Sequence, residues 1–567
     1  MRIVGICAGG HDTSAALVEN GEVSFAITEE RLDRVKHSKA FPWLSIQACL
    51  DFGGLKPSDI DAFVFGWNFE RFVKELYLKP ALRDISHFEY IRRDSRKLDD
   101  FLHFEDHVRE RLNYQGVIEH FNHHDCHIAY AFHTSGFSEA NFLSIDGYGE
   151  KETTVVGHAE RGSKEIFDVH NFPNSLGLAY AALTHYLGFK HHCDEGIVMG
   201  LASYGDPKAT APGTGRSYES IFDEIIQVDE SGRFQINYEW LTLGLMKGRW
   251  VTEKMVETFG SIRKPDSELT QHHMNIAAAL QRQVERAVLS LSKAAYDRVQ
   301  CSNICLSGGV ALNCVANTKL LLSGPYKDVY IPSAPGDNGV AVGAAILAYL
   351  KRNPGSQISS LREVIGLGPV YSDKEILSAI ETAGLQAERP QDLVSQVASL
   401  LVDGKIVGWY QGRSEFGPRA LGRRSILTRP FPAEMKDYLN AKVKFREYFR
   451  PFAPVVLEEK AGEYFQMDIK SPYMMHAFPV KETVKNSIAA TVHVDGTCRV
   501  QTVSRDSLPQ FYALIEEFEK QTGIPVILNT SFNIKGQPIV ETPLEAVRTF
   551  QKTNIDALVL EGYLIKK

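Results

Sequence analysis

Residues 2–30, RIVGICAGGHDTSAALVENGEVSFAITEE, decide the reading of the fold. Three apolar runs are separated by a GGHD turn at 9–12 and an ENGE turn at 19–22, which reads as three consecutive strands. The same shape returns at 141–170, NFLSIDGYGEKETTVVGHAERGSKEIFDVH: apolar strand, Asp-Gly turn, strand, turn, strand. Helical patterns lie between and after these two segments, including MNIAAALQRQVERAVLSLSKAAYDRV at 274–299.

This duplication of strand meanders with intervening helices resembles the two-lobed α/β fold of actin, sugar kinases and Hsp70, in which a ligand lies between the lobes. Periodicity alone fits two ordinary meanders equally well. Around 351–370 the texture changes: KRNPGSQISSLREVIGLGPVYSDKEI is turn-rich and polar, a linker signature. The strands and helices that follow show no such duplication and predict a separate α+β domain. The expected division is therefore 1–355 and 356–567.

A chain of 567 residues is too long for one ordinary core. At 44% hydrophobic and 23% charged it reads as a soluble globular protein. A formal net charge of −8 argues against bulk attraction to nucleic acid or an anionic membrane. The N-terminus reaches polar residues too early for a signal peptide, and no apolar run is long enough to span a bilayer. The eight cysteines are scattered without a CxxC pair, as reduced cytosolic thiols are, so a cytoplasmic location is expected.

Three groups of residues carry chemistry. The first is His123 and His127, four apart in FNHHDCHIAYAF, with Asp146 ending an apolar run and Asp337 in IPSAPGDNGVAVGAA. An i, i+4 pair projects both imidazoles from one helix face, and two imidazoles with two carboxylates suit iron, zinc or manganese. Histidines also pair at His191/His192 and His272/His273, so clustering by itself is not a ligand set. The second is NICLSGGVALNCVANTKLLL, where a strand enters Gly308–Gly309 and a helix leaves with Asn313 in its first turns. That is a place for close backbone approach to a phosphate, or a plain strand-to-helix turn. The third is a basic stretch. From Arg413 to Arg450 there are ten Lys and Arg against four acids, an excess of six in a net-acidic chain. Many are fixed by glycine and proline and interleaved with aromatic residues, which favours an anion pocket over a solvated face. Thr530, Ser531 and Asn533 in ILNTSFNIKGQP add donors downstream.

GHDTSAALV, EERLDRVKH, HHDCHIAYAF, EGIVMGLASYG, LSGGVALNCVANTKL, PSAPGDNGVAVGAA, GRSEFGPRALGRRSIL, KFREYFRPFAP and RVQTV…NTSFN occur in that order. Together they resemble the O-carbamoyltransferases of the NodU/CmcH type, over nearly the whole chain. The resemblance implies an actin-like (ASKHA), Kae1-like N-terminal domain followed by a YrdC-like domain. It implies that the second domain makes carbamoyladenylate from carbamoyl phosphate and ATP, and that the first transfers the carbamoyl group to a hydroxylated small-molecule acceptor. By the same resemblance Arg419, Lys444, Arg450, Arg499 and Ser531 hold the phosphates and carbamoyl group, with Arg419 and Arg450 catalytic. His123, His127, Asp146 and Asp337 hold iron(II) or another divalent metal. Gly177, Gly309 and Asn313 line the nucleotide, Lys36 approaches its phosphates, and His11 is the general base on the acceptor; a turn-capping role is the plain alternative for His11.

Threonylcarbamoyl transfer to tRNA by the same domain types needs a large basic surface, which the net charge does not support. A metal-dependent peptidase lacks HExxH and leaves the arginines unexplained. An actin-type ATP switch needs no second anion site. A homodimer is the default expectation for assembly.

Overall fold

The computed structural model describes residues 1–229, 231–246 and 248–567; side chains at 244–246 are outside that description. The chain forms two compact units, one of residues 1–29 and 37–361, the other of residues 30–36 and 362–567. Short segment 30–36 thus belongs by its contacts with the later half of the chain, although it lies well inside the expected first domain.

The first unit contains the same sheet twice. In one, β1 (Arg2–Cys7), β2 (Ser14–Glu19), β3 (Glu22–Thr28), β4 (Ala62–Phe65) and β5 (Val117–His120) run in the order β3-β2-β1-β4-β5. The meander β1–β3 is antiparallel, and β4 and β5 add in parallel. The other uses β6 (Glu139–Ile145), β7 (Glu152–Glu160), β8 (Ser163–Asn171), β9 (Asn303–Ser307) and β10 (Asp328–Tyr330). Its order is β10-β9-β6-β7-β8, again an antiparallel meander with two parallel additions. The repeat anticipated from 2–30 and 141–170 is therefore real, and it is the actin-like arrangement.

β1 is buried on both faces after Arg2, as a covered strand should be. Helix α5 (Val340–Arg352) packs on it so tightly that a Cβ on Gly5 would meet the carbonyl oxygen of Ala341 at 1.9 Å. On α5 itself, a Cβ on Gly343 would meet the Cys126 carbonyl of α1 (His123–Thr134) at 1.9 Å. These two contacts fix α1 and the turn before α5, the carriers of three of the four candidate metal ligands. Helices α2 (Leu176–Tyr186), α3 (Gln271–Arg298) and α4 (Cys314–Ser323) complete the part that bears on the site.

The second unit is α+β, as expected. Seven strands, β11 (Val407–Tyr410), β12 (Arg424–Thr428), β13 (Ala453–Leu457), β14 (Gln501–Val503), β15 (Val526–Ser531), β16 (Ala557–Leu560) and β17 (Tyr563–Lys566), make one mixed sheet. Their order is β14-β13-β15-β12-β11-β16-β17. α6 (Leu393–Val402), α7 (Pro509–Thr522) and α8 (Pro543–Lys552) pack on it. The helix anticipated in AEMKDYLNAKVKF is α-helical only over Glu434–Leu439 and widens to a π turn over Asn440–Lys444.

Inside this unit lies a buried ionic triad. Glu541 is fully buried, with Arg31 at 3.9 Å and Arg424 at 3.8 Å. Arg424 also donates to the carbonyls of Gln411 (3.1 Å) and Gly412 (3.0 Å) and lies 3.6 Å over the Tyr410 ring. Burial raises the Glu541 carboxyl above its ordinary value, and the two guanidiniums pull against that. Removing one member of such a group leaves uncompensated charge in the core. Glu541→Ala should therefore destabilise the chain by about 3–5 kcal/mol, read as a lower denaturant midpoint; an unchanged midpoint would mean the triad contributes nothing. Among the described residues no helix is long and apolar enough to cross a membrane.

Candidate functional site

His123 and His127 occupy the first turns of α1, whose N-terminus is held from outside the helix. Buried Glu150 accepts from the backbone N–H of His123 (3.0 Å) and of Asn68 (2.8 Å), and so satisfies an N–H that the helix start leaves unpaired. Asp146 follows the end of β6, where Gly308 and Gly177 allow the chain to close in. A Cβ on Gly308, at φ +84°, would meet the Ile145 carbonyl oxygen at 2.2 Å, and one on Gly177 would meet the Asp146 carbonyl at 2.8 Å. Gly309 donates its N–H to Asp146 Oδ1 (3.1 Å). Asp337 comes from the 3-10 turn before α5.

These elements bring the four predicted ligands together. His123 Nε2 lies 3.0 Å from His127 Nε2, and the two lie 3.2 and 3.0 Å from Asp146 Oδ2. Asp337 Oδ1 is 3.5 and 3.8 Å from the same nitrogens. Donors bound to one transition metal at about 2.0–2.1 Å stand roughly 3.0–3.4 Å apart, so the cluster has the right size. Its chemistry fits too: two ring nitrogens in near contact cannot both carry protons comfortably, whereas two lone pairs and two carboxylates all satisfy one cation. His123 is pushed up to about 10; burial opposes this, and the Asp146 and Asp337 carboxylates outweigh it. The intervening His124 is no ligand. Its ring meets Ser144 Oγ (2.8 Å) and the Glu152 carbonyl (3.0 Å), and burial, with the charges of His123 and His127, drives it down to about 3.

His11 sits in the turn after β1, bonded through Nδ1 to Asp12 Oδ2 at 2.8 Å. The other oxygen of Asp12 takes His37 Nδ1, also at 2.8 Å. A single carboxylate thus orients two imidazoles, and neither Asp12 nor His37 stood out in the sequence. Asp12 is held in the left-handed region at φ 56°, which Asp tolerates better than most residues. His11 is pushed up to about 9: burial opposes this, while the Asp12 bond and the charges of Asp337 and Asp146 raise it.

Asn313, expected to line the nucleotide, makes hydrogen bonds within the protein. Its side chain caps α4 through Ala316 N–H (3.0 Å) and pairs reciprocally with Gln281 (3.0 and 2.9 Å). Its Oδ1 accepts two of those bonds and one Nδ2 hydrogen is spent on Gln281, which fixes the amide at the end of the Gly309–Leu312 turn. Lys36, expected at nucleotide phosphates in the first domain, falls in the second unit, where its charge acts on Lys444.

The second unit holds a different site. Lys444, 3% exposed at the end of the π turn, donates to Ser531 O (2.7 Å) and to Oγ (3.1 Å). It also reaches Asn533 O (2.9 Å) and Oδ1 (2.6 Å), so it welds the end of β15. Burial holds Lys444 far below the usual lysine range, and Arg446, Arg450 and Lys36 push the same way. Arg446 is lowered likewise, by burial, Arg450 and Arg499. Asn529 on β15 donates to the Ala420 carbonyl (3.0 Å), which ties the loop carrying Arg419 beside Ser531. Burial and like charge press these cations the same way, an arrangement that a nearby anion would relieve.

Not every arginine of the basic stretch serves that site. Arg424 belongs to the buried triad, Arg413 binds the carbonyls of Gly368 (2.9 Å) and Leu367 (2.5 Å), and Arg429 binds that of Val402 (2.9 Å). Their spacing in sequence gave no means of separating them from Arg450.

Residues 2–346 match the family described as Carbamoyltransferase N-terminus, and residues 398–567 match Carbamoyltransferase C-terminus. The chain belongs to the carbamoyltransferase family. An uncharacterized protein of Synechocystis sp. is 38% identical, across 100% of this chain and 96% of that protein. Nodulation protein NolNO of Sinorhizobium fredii is 38% identical across 98% of this chain and 79% of its own length. Nodulation protein U of Rhizobium tropici is 31% identical across 100% and 96%. Among solved structures, component A of the (R)-2-hydroxyglutaryl-CoA dehydratase of Acidaminococcus fermentans aligns at TM-score 0.33 and 15% identity, over 62% of this chain and 99% of that one. T. kodakarensis HypF aligns at 0.32 and 14%, over 62% and 48%. The duplicated strand order itself carries the fold.

Proposed function

We propose that this carbamoyltransferase works in two stages. At the cationic site of the second, YrdC-like unit, carbamoyl phosphate is hydrolysed to carbamate and phosphate, and carbamate attacks the α-phosphorus of ATP to give carbamoyladenylate and pyrophosphate. At the His/Asp centre of the first unit, an acceptor hydroxyl attacks the carbamoyl carbon, AMP leaves, and an O-carbamoyl product forms. The observation that carries this reading is geometric: Lys444 is fixed on Ser531 (2.7 Å) and Asn533 (2.6 Å), and Asn529 ties the loop that follows Arg419 to the same strand, so that residues from three separate basic segments meet at the end of β15. The acceptor in this reading is a hydroxylated small molecule.

Arg450, Arg499 and Arg419 would clamp the phosphates, with Lys444 and Ser531 positioning the carbamoyl group. Iron(II) on His123, His127, Asp146 and Asp337 would supply a positive charge that grips and polarises the nucleotide phosphate. Gly309 and Gly177 would let the nucleotide approach the backbone, Asn313 would hold that turn in shape, and Lys36 would add charge toward phosphate. His11 would take the acceptor proton at Nε2, its Nδ1–H fixed on Asp12.

Purified protein given ATP, iron(II) and labelled carbamoyl phosphate should release pyrophosphate and form carbamoyladenylate before any acceptor is added. Folded protein that releases none would overturn the scheme. Asp12→Asn tests the base: the amide cannot anchor both imidazoles as acceptor, so kcat for transfer should drop about 10²-fold or more while pyrophosphate formation stays unchanged. Loss of both steps would assign Asp12 to folding.

A further inference from the structure

At the end of β6 away from Asp146, two glutamates face each other across neighbouring strands. Glu139 opens β6 and Glu160 ends β7, and the antiparallel register sets them directly opposite. Like charges so placed destabilise a sheet unless a positive charge lies between them. Two residues further in, on the same face, Asn141 of β6 pairs with His158 of β7. Both glutamate side chains are more than half exposed, whereas His158 is 6% exposed and Asn141 is fully buried. The length of β6 puts this group roughly 20 Å from the His/Asp centre.

A chain of hydrogen bonds running in from α3 sets the tautomer of His158. Tyr326 spends its hydroxyl proton on the Ser292 carbonyl (2.8 Å). Asn141 Nδ2 donates to that hydroxyl (3.0 Å) and to the Val299 carbonyl (2.9 Å), which uses both amide hydrogens. Asn141 Oδ1 is therefore the acceptor toward the ring, and it takes the Nδ1–H of His158 at 3.0 Å. The other ring nitrogen, Nε2, keeps its lone pair in the neutral imidazole. It is buried with no hydrogen-bond partner among the described residues, and it lies 3.5 Å from Glu160 Oε1 and 3.8 Å from Glu139 Oε2.

A proton on Nε2 does not account for this geometry. Charge-assisted N–H···O bonds run at about 2.7–2.9 Å, well inside both separations. An ion among the three groups does account for it. Donors around one zinc stand roughly 3.0–3.5 Å apart, and the three ligand atoms here lie within 4.8 Å of one another. The carboxylates stand on flexible stems at the surface, so a small rotation closes the remaining gap. An imidazole steadied from behind by a hydrogen bond to its other nitrogen is how metal-bound histidines are held. One ring nitrogen and two carboxylates suit a divalent metal of the zinc kind and leave a further position for water. We propose that Glu139, His158 and Glu160 form a second divalent-metal site, which takes zinc and clips β6 to β7 at the end away from Asp146.

Open to water and built from three protein ligands, the clip gives up its metal on purification, so it is read by loading rather than by metal content as isolated. Equilibrium dialysis of the full chain against buffered zinc counts metal per chain. Glu139→Gln/Glu160→Gln keeps the shape of both side chains, and it should bind one zinc fewer than the wild type whatever the His123 centre holds. His158→Gln should lose the same zinc, and His127→Ala should retain it. Glu160→Gln alone should weaken it by about 100-fold or more, since even the groups behind a ligand are worth about 10–100-fold in affinity. Circular dichroism checks that each variant is folded. Equal zinc per chain in wild type and the double variant, or an affinity indifferent to Glu160, would overturn the site. A double variant that keeps every zinc yet melts lower in chelator would overturn it too, and would make His158 an imidazolium held between two carboxylates.

Discussion

His127→Ala should abolish metal binding and carbamoyl transfer together, while leaving carbamoyladenylate formation intact. His127 is fully buried, and its Nε2 lies within 3.8 Å of His123, Asp146 and Asp337. Removing it takes away one of two nitrogen donors and leaves two carboxylates crowded on a single imidazole, a set that holds a transition metal weakly. Metal content by plasma emission should fall to background, and transfer by at least about 10²-fold, the scale seen when one electrostatic contact to a reacting group is lost. Pyrophosphate release, which the scheme assigns to the second unit, serves as the internal control. Retention of metal at wild-type stoichiometry would remove His127 from the ligand set; loss of pyrophosphate release as well would mean that the two steps are not divided as proposed.

Arg450→Ala should have the converse effect. The backbone around Arg450 is pinned independently of its side chain, since Asn440 Nδ2 donates to its carbonyl at 3.2 Å. Truncation therefore leaves the loop in place. The guanidinium lies 3.5 Å from Glu447 and adds positive charge to Lys444 and Arg446. Its removal relieves those two residues, so the fold should not suffer, but the phosphate clamp loses a planar fork. Carbamoyladenylate formation should drop by about 10²–10³-fold, and Arg450→Lys should recover only part of it, because an ammonium cannot bind two oxygens side by side. Transfer from carbamoyladenylate supplied directly should continue. Wild-type pyrophosphate release in Arg450→Ala would exclude the arginine from the first step.

Much of this architecture was legible before any coordinates. The β1–β3 and β6–β8 meanders announce themselves because period-two apolar runs and glycine turns are local signals. His123 and His127 were legible because a helix puts i and i+4 on one face, and Asp146 and Asp337 because each follows an apolar run at a glycine turn. What escaped depends on partners far apart in sequence. Glu150 caps α1 from 27 residues away, and Asp12 reaches His37 across 25. The buried triad joins Arg31 to Glu541 at the far end of the chain. The basic stretch was the hardest to read, because an arginine bound to backbone carbonyls and one facing a ligand look identical as letters. Only burial and partners separate Arg424 from Arg450.

Segment 30–36 has one further implication, for how the gene can be cut. Arg31 supplies a counter-charge to Glu541, and Arg34 binds the Pro538 and Ile539 carbonyls (3.0 and 2.8 Å) and Glu545 (3.2 Å). A fragment beginning at 362 would lack all of these, and a fragment ending at 361 would carry the two arginines without these partners. No single cleavage point yields both halves whole. Chimaeras that exchange one half between relatives must exchange this heptapeptide too, so recombination among these enzymes has to respect a dependency that a linear domain map does not display.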